Sequence, residues 1–254
     1  MSIAEKLQTI AENEQRVFDA GYAKGQAEGG GDNHYDLFWD SYQNNGEPTD
    51  YARAFSVAWK SLDIFKPKHN IIATNAYMMF SGFTLEIDLV DYFQKLGIIL
   101  DTSRATNTNY MFQASNVTRV GVIDFSGSTG SKPLDNAFAQ CRKLVTIDKI
   151  IPKEGSAGAF GGTFNNCTAL KNLTIEGEIK SNGLDLQYST KLSNASITSI
   201  INALSTTTSG LTVTLSTAAV NKAFETSEGA NDGIESAEWK NLKETKSNWN
   251  IGYA

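Results

Sequence analysis

The residues best suited to chemistry in this sequence are two cysteines and two histidines, but their spacing does not build a reactive site. Cys141 and Cys167 lie 26 residues apart, at matching positions of a repeated pattern. His34 and His69 have no second histidine or cysteine at the spacing of metal ligands. We therefore predict no metal site, and we interpret the cysteines as buried thiols, with a disulfide between them as the alternative.

Other catalytic patterns are incomplete. The stretch Gly127–Lys132 lacks the spacing of a phosphate-binding loop and is followed by Pro133. Asp36 and Asp40 stand one helical turn apart, an arrangement typical of a solvated helix face. There is no G-x-S-x-G elbow, and a hydrolase would need a carboxylate pair in a cleft that the sequence does not locate. We predict that the protein is not an enzyme, with no catalytic residues and no cofactor.

Composition limits the partners. The chain has 254 residues, 41% of them hydrophobic, and a net charge of −6. This negative charge disfavours binding to phosphate backbones and to anionic membrane surfaces. The chain contains no apolar run long enough for a membrane helix, and its first residues lack the apolar core of a signal peptide. We expect no nucleic-acid partner and no membrane insertion.

A repeated pattern indicates the architecture. Phe-x-x-Cys-x-x-Leu-x-x-Ile/Leu begins at Phe138 and again 26 residues later at Phe164. Two earlier units align on Phe80 and Phe112, and each phenylalanine is followed by alternating apolar residues that predict a strand with one buried face. Periods of this length are typical of stacked supersecondary units.

The flanks differ from the repeats. Residues 3–24 predict a helix with a heptad seam, suited to a coiled coil or to docking; the alternative is an amphipathic helix lying on the body of the molecule. The seam consists of Ile3, Leu7, Ile10 and Val17. Aromatic residues crowd the segment from Tyr35 to Phe65 and predict a helical hairpin, whose second helix carries Tyr51, Ala54, Phe55 and Ala58. We interpret this hairpin as an end cap, with sugar stacking as the alternative.

The segment after residue 195 predicts a second cap. Helices are expected at residues 196–204, 216–224 and 236–246, and strands at residues 211–215 and 249–253. Trp239 and Trp249 are expected to pack onto the last repeat unit.

The repeat units resemble the BspA-like leucine-rich repeats of bacterial surface proteins over roughly residues 75–195. The flanks are similar to leucine-rich-repeat proteins encoded by phages and prophages of gut Firmicutes. The flanking sequences that carry this likeness are Ser2-Ile3-Ala4-Glu5-Lys6-Leu7, Ala11-Glu12-Asn13, Phe65-Lys66-Pro67-Lys68 and Trp249-Asn250-Ile251. One departure is that Phe83 and Ser115 stand where the first two units would carry cysteine.

The resemblance implies an α/β repeat fold: a short, irregular leucine-rich-repeat solenoid with an N-terminal helix, an aromatic helical N-cap and an α/β C-terminal cap. The expected domains are an N-terminal helix (1–28), a glycine-rich linker (29–34), the aromatic helical cap (35–70), the solenoid (71–195) and the C-terminal cap (196–254).

It also implies a non-enzymatic binding protein, a receptor-binding or host-adhesion component of a phage tail or fibre, located in the virion. Its expected partners are other virion proteins or copies of itself, reached through the N-terminal helix, and a host surface protein or glycan. The alternatives are a structural virion protein without host binding and a bacterial cell-surface adhesin. The predicted ligand-facing strand positions are Thr146, Asp148, Thr174 and Glu176.

Overall fold

The computed structural model describes residues 49–56, 62, 65–129, 133–153 and 160–254, all within a compact unit that runs from Gly46 to Ala254. This part of the chain contains nine strands, four α-helices and one short 3-10 helix. The strands are β1 (Thr49–Asp50), β2 (Ile71–Asn75), β3 (Leu100–Asp101), β4 (Arg119–Asp124), β5 (Thr146–Ile151), β6 (Asn172–Ile175), β7 (Leu184–Leu186), β8 (Leu211–Leu215) and β9 (Trp249–Tyr253). The helices are α1 (Leu89–Leu96), α2 (Asn194–Ala203), α3 (Thr217–Ala223), α4 (Ala237–Glu244) and the 3-10 helix Gly233–Glu235.

All strand pairs are parallel, and they divide into three separate sheets: β1-β2-β3, β4-β5-β6 and β7-β8-β9. The prediction of a leucine-rich-repeat solenoid is therefore wrong. The described residues form a small α/β domain with three short parallel sheets and four α-helices. Side-chain hydroxyl groups at both borders of the middle sheet account for the division.

The first border lies between β3 and β4. Thr102 follows β3 and is buried. Its Oγ1 accepts a hydrogen bond from the backbone N–H of Asp124 at 3.0 Å and donates one to the carbonyl of the same residue at 2.9 Å. A side chain thus satisfies backbone groups that a neighbouring strand would otherwise pair.

The second border is the outer edge of β6, where α2 takes the place of a further strand. Leu173 N–H donates to Ser196 Oγ at 2.9 Å, and Ile175 N–H donates to Ser199 Oγ at 3.0 Å. Ser196 Oγ also donates to the Lys171 carbonyl at 3.0 Å. Because a sheet continues only where edge groups remain to be paired, these serines end the middle sheet.

The aromatic helical cap is a second correction. In its described part, residues 49–50 form β1 and residues 52–55 form turns, so the predicted helix through Tyr51 and Phe55 is absent there. Both side chains are buried, and the Phe55 ring packs 4.9 Å from Phe80 and 5.6 Å from Phe65. Their helical spacing reflects contact with the core. The predicted helix over residues 3–24 lies outside the described residues.

The phenylalanines used to align the four units form a single stack in the core. The ring centroids of Phe80 and Phe112 are 5.0 Å apart, those of Phe112 and Phe138 are 5.2 Å apart, and those of Phe138 and Phe164 are 5.9 Å apart. The ring planes are nearly parallel, with interplanar angles of 4°, 6° and 2°. Burial of these four rings fixes the separation between successive turn segments.

Several elements follow local sequence signals. Helix α1 begins after Asp88, whose carboxylate accepts from Asp91 N–H, and ends at Gly97 in the left-handed region (φ 68°). The strands at residues 211–215 and 249–253 are confirmed at their predicted bounds, and α2, α3 and α4 lie within two residues of theirs. Trp239 and Trp249 are both buried.

Replacing the capping serines tests the edge of the middle sheet. Ser196→Ala leaves the buried Leu173 N–H without a partner, so we expect the free energy of unfolding to fall by about 1–3 kcal/mol. Ser199→Ala should cost less, because its hydrogen bond is only partly buried. The measurement is urea unfolding followed by circular dichroism.

Ser209→Ala is the matched control, since Ser209 is exposed in a loop and its change should stay within about 0.5 kcal/mol. Alanine favours a helix over serine by a few tenths of a kcal/mol, which works against the expected loss. Equal stability of the Ser196→Ala and Ser209→Ala variants would contradict the role given to the hydroxyl.

Candidate functional site

The outer face of the middle sheet carries polar side chains in rows. Val120 of β4, Ile147 of β5 and Leu173 of β6 lie opposite one another and point into the core. The residues that flank these buried positions along each strand are exposed or half-buried, and in β4 and β5 two such residues separate successive buried positions. We call them the strand face, which comprises Arg119, Val122, Thr146, Asp148, Lys149, Asn172, Thr174 and Glu176.

The strongest interaction on the strand face joins Arg119 of β4 to Asp148 of β5. Nε and Nη2 of the guanidinium each donate to one carboxylate oxygen of Asp148 at 2.8 Å. Nη1 lies 3.8 Å from the Asp88 carboxylate at the start of α1. The hydrogen bond to Asp148 raises the pKa of Arg119 further above its ordinary value. A bidentate pair of this kind holds both side chains in one geometry.

The neighbouring charges are paired as well. Lys149 Nζ donates to the Glu176 carboxylate. At the margin of the face, Lys143 Nζ lies 3.3 Å from Glu86 Oε2. Uncharged side chains also form hydrogen bonds between neighbouring strands, since Asn172 Nδ2 donates to Thr146 Oγ1 at 3.2 Å. The strand face is therefore an ordered array of ion pairs and hydroxyl groups.

All four predicted ligand-facing residues lie on this face. Thr174 is exposed, and Thr146 is half-buried. Asp148 and Glu176 are engaged in ion pairs with Arg119 and Lys149. The predicted seam residues Ile3, Leu7, Ile10 and Val17 lie outside the described residues.

Sequence reasoning missed Arg119, Lys149 and Val122. Arg119 lies opposite Thr146 in the strand register. An alignment of the repeat units that placed Arg119 at the position of Thr146 could therefore have identified it. Val120 and Val122 belong to the apolar residues that follow Phe112, and their spacing of two predicts that both point inward. The buried positions of β4 are instead Val120 and Ile123, and Val122 is 50% exposed.

An apolar pocket of about 380 Å³ adjoins the strand face at Val122, between α1 and β4. Its walls include Val90 and Phe93 of α1, Ile99, and Val120, Gly121 and Val122 of β4. Ile99 is 61% exposed. A Cβ at Gly121 would lie 3.4 Å from Val90 Cγ2, at van der Waals contact across the pocket. The volume suits a small ligand or a large apolar side chain of a partner.

The cysteines contribute no nucleophile. Cys141 and Cys167 are free and buried, as expected from their repeat positions. Their Sγ atoms donate to the carbonyls of Phe112 at 2.8 Å and Phe138 at 3.0 Å. Burial raises the pKa of Cys167 from 9.0 to about 12 and raises the pKa of Cys141 well above 9.0. Both groups stay as neutral thiols at physiological pH, whereas a reactive cysteine needs the thiolate.

Within the described residues, no three or more histidine, cysteine, aspartate or glutamate side chains converge where they could hold a metal ion. In that same part of the chain, no helix combines the length and apolar character needed to cross a membrane. The fold and the strand face define a small α/β domain of short parallel sheets. The chain matches no protein-family model, and no characterised protein or solved structure shows significant similarity to it.

Thiol accessibility provides a test of the cysteine environment. We expect neither cysteine to react with Ellman's reagent in the folded protein at pH 8, because both are buried and protonated. Both should react after unfolding in guanidinium. Fast reaction of the native protein would contradict the burial of the thiols, and loss of thiol titre after unfolding would reveal a disulfide.

The same thiols make stability depend on pH. In the unfolded chain a thiol ionises near pH 8.5, whereas the raised pKa keeps the folded thiols protonated to higher pH. The unfolded state then binds fewer protons, so the free energy of unfolding should fall as the pH rises from about 9 towards 12. Tyr51, whose pKa burial raises to about 12, adds a similar slope above its ordinary value of 10.0.

A Cys141→Ala, Cys167→Ala variant should show a smaller decline between pH 9 and 10 than the parent, measured by denaturant unfolding at each pH. Its lower overall stability, which follows from lost packing, does not affect this comparison of slopes. Parallel curves for the two proteins would contradict the assignment.

Proposed function

We infer that the protein is a non-enzymatic binding protein whose contact surface is the strand face. The observation that carries this proposal is the array itself: three neighbouring strands present outward side chains that are exposed or half-buried, in continuous register between β4 and β5 and with a register shift between β5 and β6. A surface on regular strands holds its side chains more precisely than a surface on loops.

Physical features of the strand face support binding. Because the ion pairs Arg119–Asp148 and Lys149–Glu176 already restrict four charged side chains, these side chains lose less conformational entropy on association. Val122 and the apolar pocket beside it supply an anchoring position next to the charged rows. Energetic hot spots at interfaces commonly consist of an apolar group in a pocket surrounded by polar contacts.

The described carboxyl groups whose pKa is shifted all lie outside the strand face. A general acid working near neutral pH needs a carboxyl pKa that is raised. In the described part of the chain, every carboxyl group with a resolved shift has its pKa lowered by hydrogen bonds, chiefly to lysine or threonine side chains. These groups are Glu178, Glu225, Asp232 and Glu235.

The biological setting that we propose is a phage tail or fibre, with the strand face directed to a host surface protein or glycan. This part of the proposal rests on the likeness of the repeat units and of the flanks to phage-encoded proteins. Residues 3–24 join the protein to other virion proteins or to copies of itself. A structural virion protein and a bacterial cell-surface adhesin are the alternatives that an experiment must separate.

A binding assay with a face variant tests the proposal. The full chain, fluorescently labelled, is mixed with cells of a panel of gut Firmicutes and with their purified cell-wall glycan. We expect the parent protein to bind at least one strain. Thr174→Trp places a bulky side chain on β6, the outer strand of the strand face, and should weaken that binding by about tenfold or more.

Thr206→Trp is the matched control, because Thr206 is an exposed threonine in the loop after α2. It should bind like the parent. Equal binding by the two tryptophan variants would remove the strand face from the proposal. Failure of the parent to bind any cell or glycan, together with its presence in purified virions, would favour the structural alternative.

A further inference from the structure

The outer edge of β9 differs from the edges of the middle sheet. On its inner side β9 pairs with β8 along its whole length. Ala254 N–H donates to the Leu215 carbonyl at 3.1 Å, and the Ala254 carbonyl accepts from Thr217 N–H at 3.0 Å. Because peptide groups alternate in direction along a strand, those of Gly252 also point to β8, and those of Ile251 and Tyr253 point away from it.

This edge is unprotected in the described part of the chain. No other strand among the described residues pairs with it, and none of their side-chain hydroxyl groups caps the peptide groups of Ile251 and Tyr253 as Ser196 and Ser199 cap β6. The sequence Trp-Asn-Ile-Gly-Tyr has no charged residue and no proline. Natural proteins usually guard an exposed edge with lysine, proline, a bulge or a covering element.

We propose that β9 is an interface at which a second copy of this chain adds its own β9 in antiparallel orientation, about a two-fold axis through Ile251. Ile251 then exchanges backbone hydrogen bonds with Ile251 of the second copy. Tyr253 N–H donates to the Trp249 carbonyl across the axis, while Trp249 N–H keeps its bond to Lys246 at 2.9 Å. The β7-β8-β9 sheets of the two copies then join into one continuous sheet.

The strand is complementary to itself in this arrangement. Trp249 and Tyr253 stand two residues either side of Ile251, so Trp249 of one copy lies opposite Tyr253 of the second copy. Each ring also keeps a hydrogen bond in its own copy, since Trp249 Nε1 donates to the Ser205 carbonyl and the Tyr253 hydroxyl accepts from Trp239 Nε1, both at 2.8 Å. Such cross-strand aromatic pairs stabilise antiparallel sheets. On the opposite face, Asn250 lies across from Gly252, which leaves room for its side chain. No residue of the strand itself is charged, and the charged group that contacts it is Lys243 Nζ, 3.5 Å from the Tyr253 hydroxyl at the end of the strand.

A charge-swap pair of variants tests this interface in the full chain. Asn250 is exposed, and a Cβ at Gly252 would have as its nearest contact the Val213 carbonyl oxygen at 3.9 Å, so both positions accept new side chains. In an Asn250→Lys, Gly252→Lys variant, lysines face lysines across the axis. In an Asn250→Asp, Gly252→Lys variant, each aspartate faces a lysine instead.

Sedimentation equilibrium over a range of concentrations gives the dissociation constant. We expect the parent to dimerise, the double-lysine variant to dissociate with a constant about tenfold higher, and the aspartate–lysine variant to remain within about threefold of the parent. Circular dichroism of all three proteins shows whether the fold is retained.

Amide hydrogen exchange locates the contact. Dimerisation should protect the Ile251 and Tyr253 amides as concentration rises, whereas the Gly252 amide is protected at every concentration by β8. A parent that stays monomeric at its highest soluble concentration overturns the proposal. So does a dimer that both charge variants form equally and that Leu7→Asp abolishes, since its interface is then the seam of residues 3–24. Protection that appears only after a different protein is added also overturns it.

Discussion

The stack of Phe80, Phe112, Phe138 and Phe164 is the constraint on which the rest of the structure depends. Its centroid separations of 5.0, 5.2 and 5.9 Å are close to the roughly 4.8 Å between neighbouring strands of a sheet. A chain that packs one ring on the next is therefore brought to the right distance for parallel strand pairing on the other side of the core. The buried thiols of Cys141 and Cys167 fill the space beside the rings, and their hydrogen bonds to phenylalanine carbonyls join successive turn segments.

Given that spacing, one continuous sheet would also be compatible with the core. Three side-chain hydroxyl groups instead occupy backbone groups at the edges of the middle sheet. Thr102 satisfies both backbone groups of Asp124 at one border, and Ser196 and Ser199 accept the N–H groups of β6 at the other. A side-chain hydroxyl can occupy an edge position without continuing the sheet, as Ser196 and Ser199 do along β6 and Thr102 does at Asp124 of β4. At the other end of β4, Arg119 forms an isolated parallel bridge with Asp88.

The sequence predicted the elements that have local causes. The capping residues Asp88 and Gly97 bound α1, and alternation marks β8 and β9. The four predicted ligand-facing residues share a face because Thr146 and Asp148 flank the buried Ile147, and Thr174 and Glu176 flank the buried Ile175. Asp148 and Thr174 are one 26-residue repeat period apart. The division into three sheets could not be predicted, since it depends on hydrogen bonds between the hydroxyl groups of Thr102, Ser196 and Ser199 and the backbone of residues more than 20 positions away. The exposure of Val122 was missed for a related reason: buried positions in β4 are three residues apart, not two.

The strand face and the edge of β9 are two surfaces of different chemistry. The strand face relies on exposed ion pairs, whose attraction is screened over a Debye length of about 8 Å at physiological ionic strength. The edge of β9 offers uncharged peptide groups, and hydrogen bonds between them depend little on salt. Association through one surface therefore responds to ionic strength differently from association through the other. Binding of an external partner and pairing of two copies can then be distinguished in the same protein without altering a residue.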